Sequence, residues 1–248
     1  MITAAFVCGL MFGSFANVII YRLPRGLEFV KTPSACTSCG ARIKAPHNIP
    51  VLSWLMLRGE CGYCGAKISP RYITVELLTG VMFALMFWRH GDILEASLWS
   101  VFMLYLVIAA FIDAETRLIP DSLNIAGFAV AAAYAALNWG GALNLILGAV
   151  AGGGFLLILD LMSRLIFKKP GMGGGDIKLM AVCGLFLGVW GAVAALWLAA
   201  VAGGVFGVFL LAAKRAERGS YFAFGPFLCA GAAAAGFLQD ALRGFWGI

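Results

Sequence analysis

The sequence predicts an all-α polytopic membrane protein of about eight transmembrane helices. Of 248 residues, 62% are hydrophobic and only 12% charged, against roughly 25% charged in an ordinary soluble domain. The mean hydropathy of +0.94 leaves too little polar surface to coat a globule in water, which excludes disordered, fibrous and cytosolic classes. The apolar residues fall in unbroken runs rather than short alternating segments, so a transmembrane barrel is excluded as well.

Runs long enough to cross a bilayer, about 20 residues each, are Ile2–Tyr21, Ile73–Trp88, Ala96–Asp113, Ser122–Asn138, Ala142–Phe167, Ile177–Trp190, Gly191–Ala213 and Phe222–Leu242. Only Trp190 and Gly191 mark the border between the sixth and seventh. Charge placement tests the count independently. With the N-terminus outside, the segments 22–72, 114–121, 164–178 and 214–221 face the cytoplasm, and they carry 16 of the 18 Lys and Arg. Only Arg89 and Arg243 fall outside, as the positive-inside rule requires. No Lys or Arg precedes Arg22, so the first run lacks the basic start of a cleaved signal and is expected to remain as a span. The chain thus divides into a first transmembrane helix (1–21), a cytoplasmic loop (22–72) and a membrane core of about seven helices (73–248).

The loop holds eight basic residues against Glu28 and Glu60, a net charge of +6. Such a loop serves as a topology signal and contacts anionic lipid headgroups. No stacking platform or reading helix accompanies the charge, so nucleic acid is not expected as a partner.

Four of the seven cysteines lie in this loop, as Cys36-Thr-Ser-Cys39 and Cys61-Gly-Tyr-Cys64, each pair followed by glycine. Two such knuckles suit four thiolates closing tetrahedrally on one zinc ion, and the glycines let the backbone turn its amides toward sulfur. A reducing cytoplasmic side weighs against two disulfides. A closed four-thiolate site leaves no position for a catalytic water, so the zinc is structural. His47, between the knuckles, is read as an ordinary loop residue. Cys8, Cys183 and Cys229 lie in apolar runs and are expected to be small buried residues.

Carboxylates at a membrane edge are costly and therefore functional suspects. The candidates are Glu76, Asp113, Asp121, Asp160 and Asp176. Asp113 closes the third run; Asp176 follows Gly173, Gly174 and Gly175, 63 residues further on and at the same predicted face. Two carboxylates that meet across helices can share a proton, one drawing a proton from water while the other protonates a scissile carbonyl. On spacing alone, two local readings fit as well. Asp176 can be a helix cap, and Asp113 the charged residue that ends a span. The glycines permit close backbone approach to a peptide, making Gly173, Gly174, Gly175 and Lys178 candidate substrate contacts. Asp121 after Pro120 reads as a helix cap, Asp160 as a polar contact between helices, and Glu76 stays open.

Four blocks together resemble the bacterial type IV prepilin peptidases, the GxGD-type aspartic proteases. They are Gly13-Ser-Phe-Ala-Asn-Val-Ile-Ile-Tyr-Arg-Leu-Pro24, the cysteine loop running into Ile68-Ser-Pro-Arg-Tyr-Ile-Thr-Val-Glu-Leu-Leu-Thr-Gly80, Ile112-Asp113 with Ile119-Pro-Asp121, and Gly173-Gly-Gly-Asp176-Ile-Lys-Leu. The resemblance implies that Asp113 and Asp176 are the catalytic aspartates. It also implies that prepilins and type II secretion pseudopilins are cut after a glycine, on the cytoplasmic side of the bacterial inner membrane. Long members of the family also methylate the new N-terminus with S-adenosylmethionine. No glycine-rich strand-turn-helix for that donor is recognisable here; its pocket is expected to be bounded by the loop and the first-helix block. Rival classes are a peptidase without methylation, a proton-coupled transporter and a non-enzymatic zinc-stabilised scaffold.

Overall fold

The computed structural model describes residues 1–29, 32–213 and 222–238. Among them the chain is helical, with only two isolated β-bridges, Ala35 to Arg42 and Glu60 to Lys67. Five helices are long and apolar enough to cross a membrane and two shorter ones are apolar. Large side chains such as Trp88, Leu165 and Val205 point outward, an arrangement suited to lipid rather than water. The expected basic turn 214–221 and residues 239–242 of the last expected span lie outside the described residues.

The chain divides into two compact units, Met1–Ile108 and Ala109–Ile248. In the first, α1 (Ile2–Arg22) packs on α3 (Arg71–Arg89). Glycine makes the approach possible. A Cβ on Gly9 would lie 2.7 Å from the Gly80 Cα, and one on Gly13 2.7 Å from the Glu76 Cα. Without lipid-excluding burial to drive association, such small-residue contacts are what hold membrane helices together. Between them the loop contains a one-turn helix, α2 (Leu52–Met56), which the sequence reading did not anticipate. Arg22 ties the loop back to α1 by donating to the carbonyls of Glu28, Thr32 and Pro33, so not every basic residue there is free for lipid. Cys8 is exposed on α1, against the expectation of burial, because lipid accepts a small apolar side chain as readily as a core does. The helix α4 (Ile93–Thr116) starts with Asp92, whose carboxylate accepts the Glu95 amide at 2.9 Å.

The second unit takes the end of α4, then α5 (Asp121–Leu137), α6 (Ala142–Phe167), α7 (Gly174–Ala212) and α8 (Gly225–Phe237). α6 and α7 are in backbone contact along Gly148, Gly152 and Gly153. A Cβ on Gly152 would sit 2.6 Å from the Met180 carbonyl, and one on Gly153 2.8 Å from the Ala181 Cβ. The 39-residue α7 is not continuous, since Gly188 adopts φ 73° and ψ −177°. The break falls two residues before the border expected at Trp190–Gly191. The side chain of Asn144 accepts the Val189 amide at 3.3 Å there, satisfying a donor that the break frees.

Only glycine tolerates the backbone at 188 without strain, so Gly188→Ala is expected to cost about 1–3 kcal/mol. Thermal unfolding in detergent measures the loss; an unchanged transition contradicts it.

Candidate active site

The second unit brings the two suspect aspartates together. Asp113 lies on the last turn of α4, 5% exposed. Three residues later the helix ends, and Arg117 turns the chain through a left-handed φ of 56°. Ile119 then seats against the start of α7, where a Cβ on Gly175 would lie 2.9 Å from the Ile119 Cβ. Gly175 therefore has a packing reason to be glycine. That contact holds the first turn of α7, which carries Asp176, beside the end of α4. The two carboxylates are electrostatic neighbours, and Cys229, buried on α8, lies in range of both.

Each aspartate is held differently. The Asp113 Oδ2 accepts the Gly225 amide at 2.9 Å. Gly225 opens α8, and a Cβ there would lie 2.6 Å from that oxygen. Asp176 is not the N-cap of α7, which is Gly173; it stands at the third helical position, where its carboxylate takes the Gly173 amide as a capping-type contact. Its Oδ1 is buried with no hydrogen-bond partner, while Gly173 leaves room for Oδ2, which a Cβ would approach to 3.0 Å. Gly174 faces open space.

Two expectations change. Asp121 caps nothing. It begins α5, and its side chain pairs with Lys178 at 2.6 Å, joining the starts of α5 and α7. Lys178, expected to contact substrate, is thus engaged within the protein. Asp160, expected between helices, grips a loop instead. It accepts the Arg164 Nε at 2.7 Å and the amides of Gly171 and Met172 at 3.0 and 3.2 Å. The Ser163 hydroxyl adds a bond to the Lys169 carbonyl at 3.1 Å. This loop feeds directly into Gly173 and Asp176, so Asp160 orients the residue behind which the second aspartate stands. Sequence reasoning missed Gly225; the Gly225-Pro226 pair opening the last apolar run was the available signal. Cys183 and Cys229 are buried as expected.

In the first unit the loop gathers four cysteines into one cluster. The sulfurs of Cys36, Cys39, Cys61 and Cys64 all lie within 4.8 Å of one another, with 4.0 Å between Cys36 and Cys64. Zinc–sulfur bonds of about 2.3 Å in a tetrahedron space sulfurs at about 3.8 Å, so the donor set fits. The knuckles share one backbone pattern. Cys36 and Cys61 donate to the carbonyls of Ala41 and Ala66 at 2.9 and 2.8 Å. Gly40 and Gly65 turn through φ of 71° and 69°, the conformation their position after each pair anticipates. The Ser38 amide points at the Cys36 sulfur at 3.4 Å. Amides of Cys39 and Ser38 pull the Cys36 thiol down to about 6. At Cys64 the Ala66 amide pulls the same way, but the adjoining thiols, Cys39 foremost, push it up to about 11. His47 stays outside the sulfur cluster, its ring 5.9 Å from that of Tyr63.

Long apolar helices joined to a loop with a four-cysteine cluster define an integral membrane protein. The chain belongs to the type IV leader peptidase family. The Type IV leader peptidase family model matches residues 100–208, and the Bacterial Peptidase A24 N-terminal domain model matches residues 7–90. The two matches fall one to each unit, save for residues 100–108. Proteins named prepilin leader peptidase/N-methyltransferase are similar over most of their length. The one from Neisseria gonorrhoeae is 35% identical, covering 90% of this chain and 86% of its own. Those from Pseudomonas putida and Dickeya chrysanthemi are each 34% identical, covering 92% and 98% of this chain and 87% and 94% of theirs. No solved structure matches the chain.

Because a metal must displace the proton that Cys64 holds across this range, and that of Cys36 near its acid end, zinc affinity is expected to rise between pH 6 and pH 8. Competition against a chelator measures it. An affinity flat over that range contradicts four-thiolate binding.

Proposed function

We propose that the chain is a membrane aspartic endopeptidase that removes the leader of type IV prepilins and type II secretion pseudopilins, then N-methylates the new N-terminus. The observation that supports the peptidase reading is that Asp113 and Asp176, 63 residues apart in sequence, come within electrostatic range of each other. One carboxylate takes a proton from water, whose oxygen attacks the scissile carbonyl carbon while the other carboxyl protonates the carbonyl oxygen. The tetrahedral adduct collapses as the carbon–nitrogen bond breaks and the amine leaves with a proton from the dyad. The unpartnered Oδ1 of Asp176 suits a hydrogen bond from the water, and Gly174, with nothing against it, leaves room for the substrate.

Helix ends alone assign the ionised form to Asp176, at the start of α7, and the protonated form to Asp113, at the end of α4. The amide at the start of α8 complicates that assignment, since Asp113 also meets a helix N-terminus. The dyad is therefore treated as one unit sharing one proton.

The remaining assignments follow the charge pattern. Reading the two halves of α7 as separate crossings, the spans number eight, with the N-terminus outside and the dyad at the cytoplasmic face of the inner membrane. The basic leader is held by anionic lipid at that face while its apolar helix enters between spans. The loop 22–72 serves as a separate metal-binding element beside a peptidase core in 73–248. Cys36, Cys39, Cys61 and Cys64 hold zinc, which cross-links the knuckles and fixes the loop's fold. S-adenosylmethionine supplies the methyl group.

Purified protein incubated with a synthetic prepilin tests the proposal by mass spectrometry. Asp113→Asn and Asp176→Asn are each expected to lower cleavage by at least about a thousandfold; wild-type cleavage by either contradicts the dyad. Gly225→Ala, which crowds the Asp113 carboxylate, is expected to lower kcat about tenfold or more. An unchanged kcat would show that the Gly225 contact does not position Asp113.

A further inference from the structure

The α1–α3 seam of the first unit buries polar groups that packing alone does not require. Asn17 is 1% exposed and Glu76 7%. The Asn17 Nδ2 donates to two carbonyls, those of Tyr72 at 3.0 Å and Gly13 at 3.3 Å. That fixes which end of the amide is nitrogen, and leaves the buried Oδ1 as an acceptor without a donor. Such an orphan costs about 1–3 kcal/mol unless something supplies the missing proton. Glu76 stands in the same seam. It accepts the Val51 amide at 2.7 Å and the Ser14 hydroxyl, and among the described residues no Lys or Arg pairs with it. Val51 itself holds φ 63°, an uncommon backbone for a β-branched residue and one that the Glu76 bond keeps in place. Both groups adjoin Gly13, whose carbonyl takes the Asn17 amide and whose Cα faces the Glu76 backbone, so the seam gathers an unfilled amide oxygen and a carboxylate held to a strained loop residue, with no Lys or Arg pairing among the described residues.

A protonated primary amine supplies what is missing, a positive charge and three N–H donors. We propose that Glu76 and Asn17 bind the free α-ammonium of the cleaved substrate, and that Glu76 accepts the proton this nitrogen loses before methylation. The inference rests on the methyltransferase reading above. Its chemistry balances as follows. The Glu76 carboxylate takes one proton from the ammonium, freeing the nitrogen lone pair. The nitrogen attacks the methyl carbon of an S-methyl sulfonium, and the carbon–sulfur bond breaks with its electron pair on sulfur. A secondary ammonium and a neutral thioether result, and Glu76 returns its proton to solvent.

The test is binding. The full chain, zinc-loaded in detergent, is titrated with a mature pilin peptide bearing a free N-terminal phenylalanine and with its N-acetylated twin. Wild type is expected to bind the free amine at least about tenfold more tightly. Glu76→Gln keeps acceptors for Val51 and Ser14 but removes the charge, and should erase the preference; a merely structural Glu76 would leave it intact. Asn17→Ala should reduce it severalfold, and decides the matter if Glu76→Gln does not fold. Equal binding of both peptides by wild type, or a full preference in these variants, overturns the proposal. Wild-type protein that adds no methyl to the free-amine peptide, given S-adenosylmethionine, refutes the methyltransferase reading separately, since amine preference is scored without the donor.

Discussion

The second unit depends on one close approach, the seat of Ile119 on Gly175. A side chain at 175 would meet Ile119 well inside van der Waals contact. Only a missing Cβ lets the start of α7 lie against the turn that ends α4. That turn follows Asp113 by a few residues, and Asp176 sits one position past the contact. Two carboxylates distant in sequence thus come within electrostatic range of each other. The ion pair of Asp121 with Lys178 ties the same helix starts from the outside. The Asp160 clamp fixes the loop before Gly173. None of these supports involves the Asp113 or Asp176 carboxylate, yet each ties down a segment that adjoins one of them.

Membrane burial explains why the supports take the form they do. With no water to rescue freed backbone groups, each irregularity needs a local partner. The break at Gly188 has Asn144, the loop before α7 has Asp160, and the start of α8 has Asp113. Close packing through Gly9, Gly13, Gly148 and Gly152 does the work that a hydrophobic core does in water. The same rule makes the orphan oxygen of Asn17 informative, because no described residue supplies the missing donor.

Much of this was legible in the chain. The charges separated the apolar runs, and the Cys-x-x-Cys-Gly repeats carried their own turn geometry, down to the left-handed glycines. Asp113 and Asp176 stood out as acids at run edges, one behind a glycine cluster. What stayed hidden depends on contacts between distant segments. The Gly225 amide on Asp113 and the Ile119 seat of Gly175 have no local pattern. Asp121 and Lys178, 57 residues apart, look like a cap and a free cation until the fold joins them. Cys8 was misjudged because an apolar neighbourhood in sequence does not separate core from lipid. The border inside α7 was blurred for the same reason, since a helix apolar on all sides has no periodicity to interrupt.

The central claim is that the two aspartates act as one proton-sharing unit. The pH dependence of kcat/KM for prepilin cleavage tests it most directly. A bell is expected, rising with unit slope as the doubly protonated pair loses one proton and falling with unit slope as the singly protonated pair loses the other. A profile with a single limb, or none, would mean that only one carboxylate takes part, and would contradict the account.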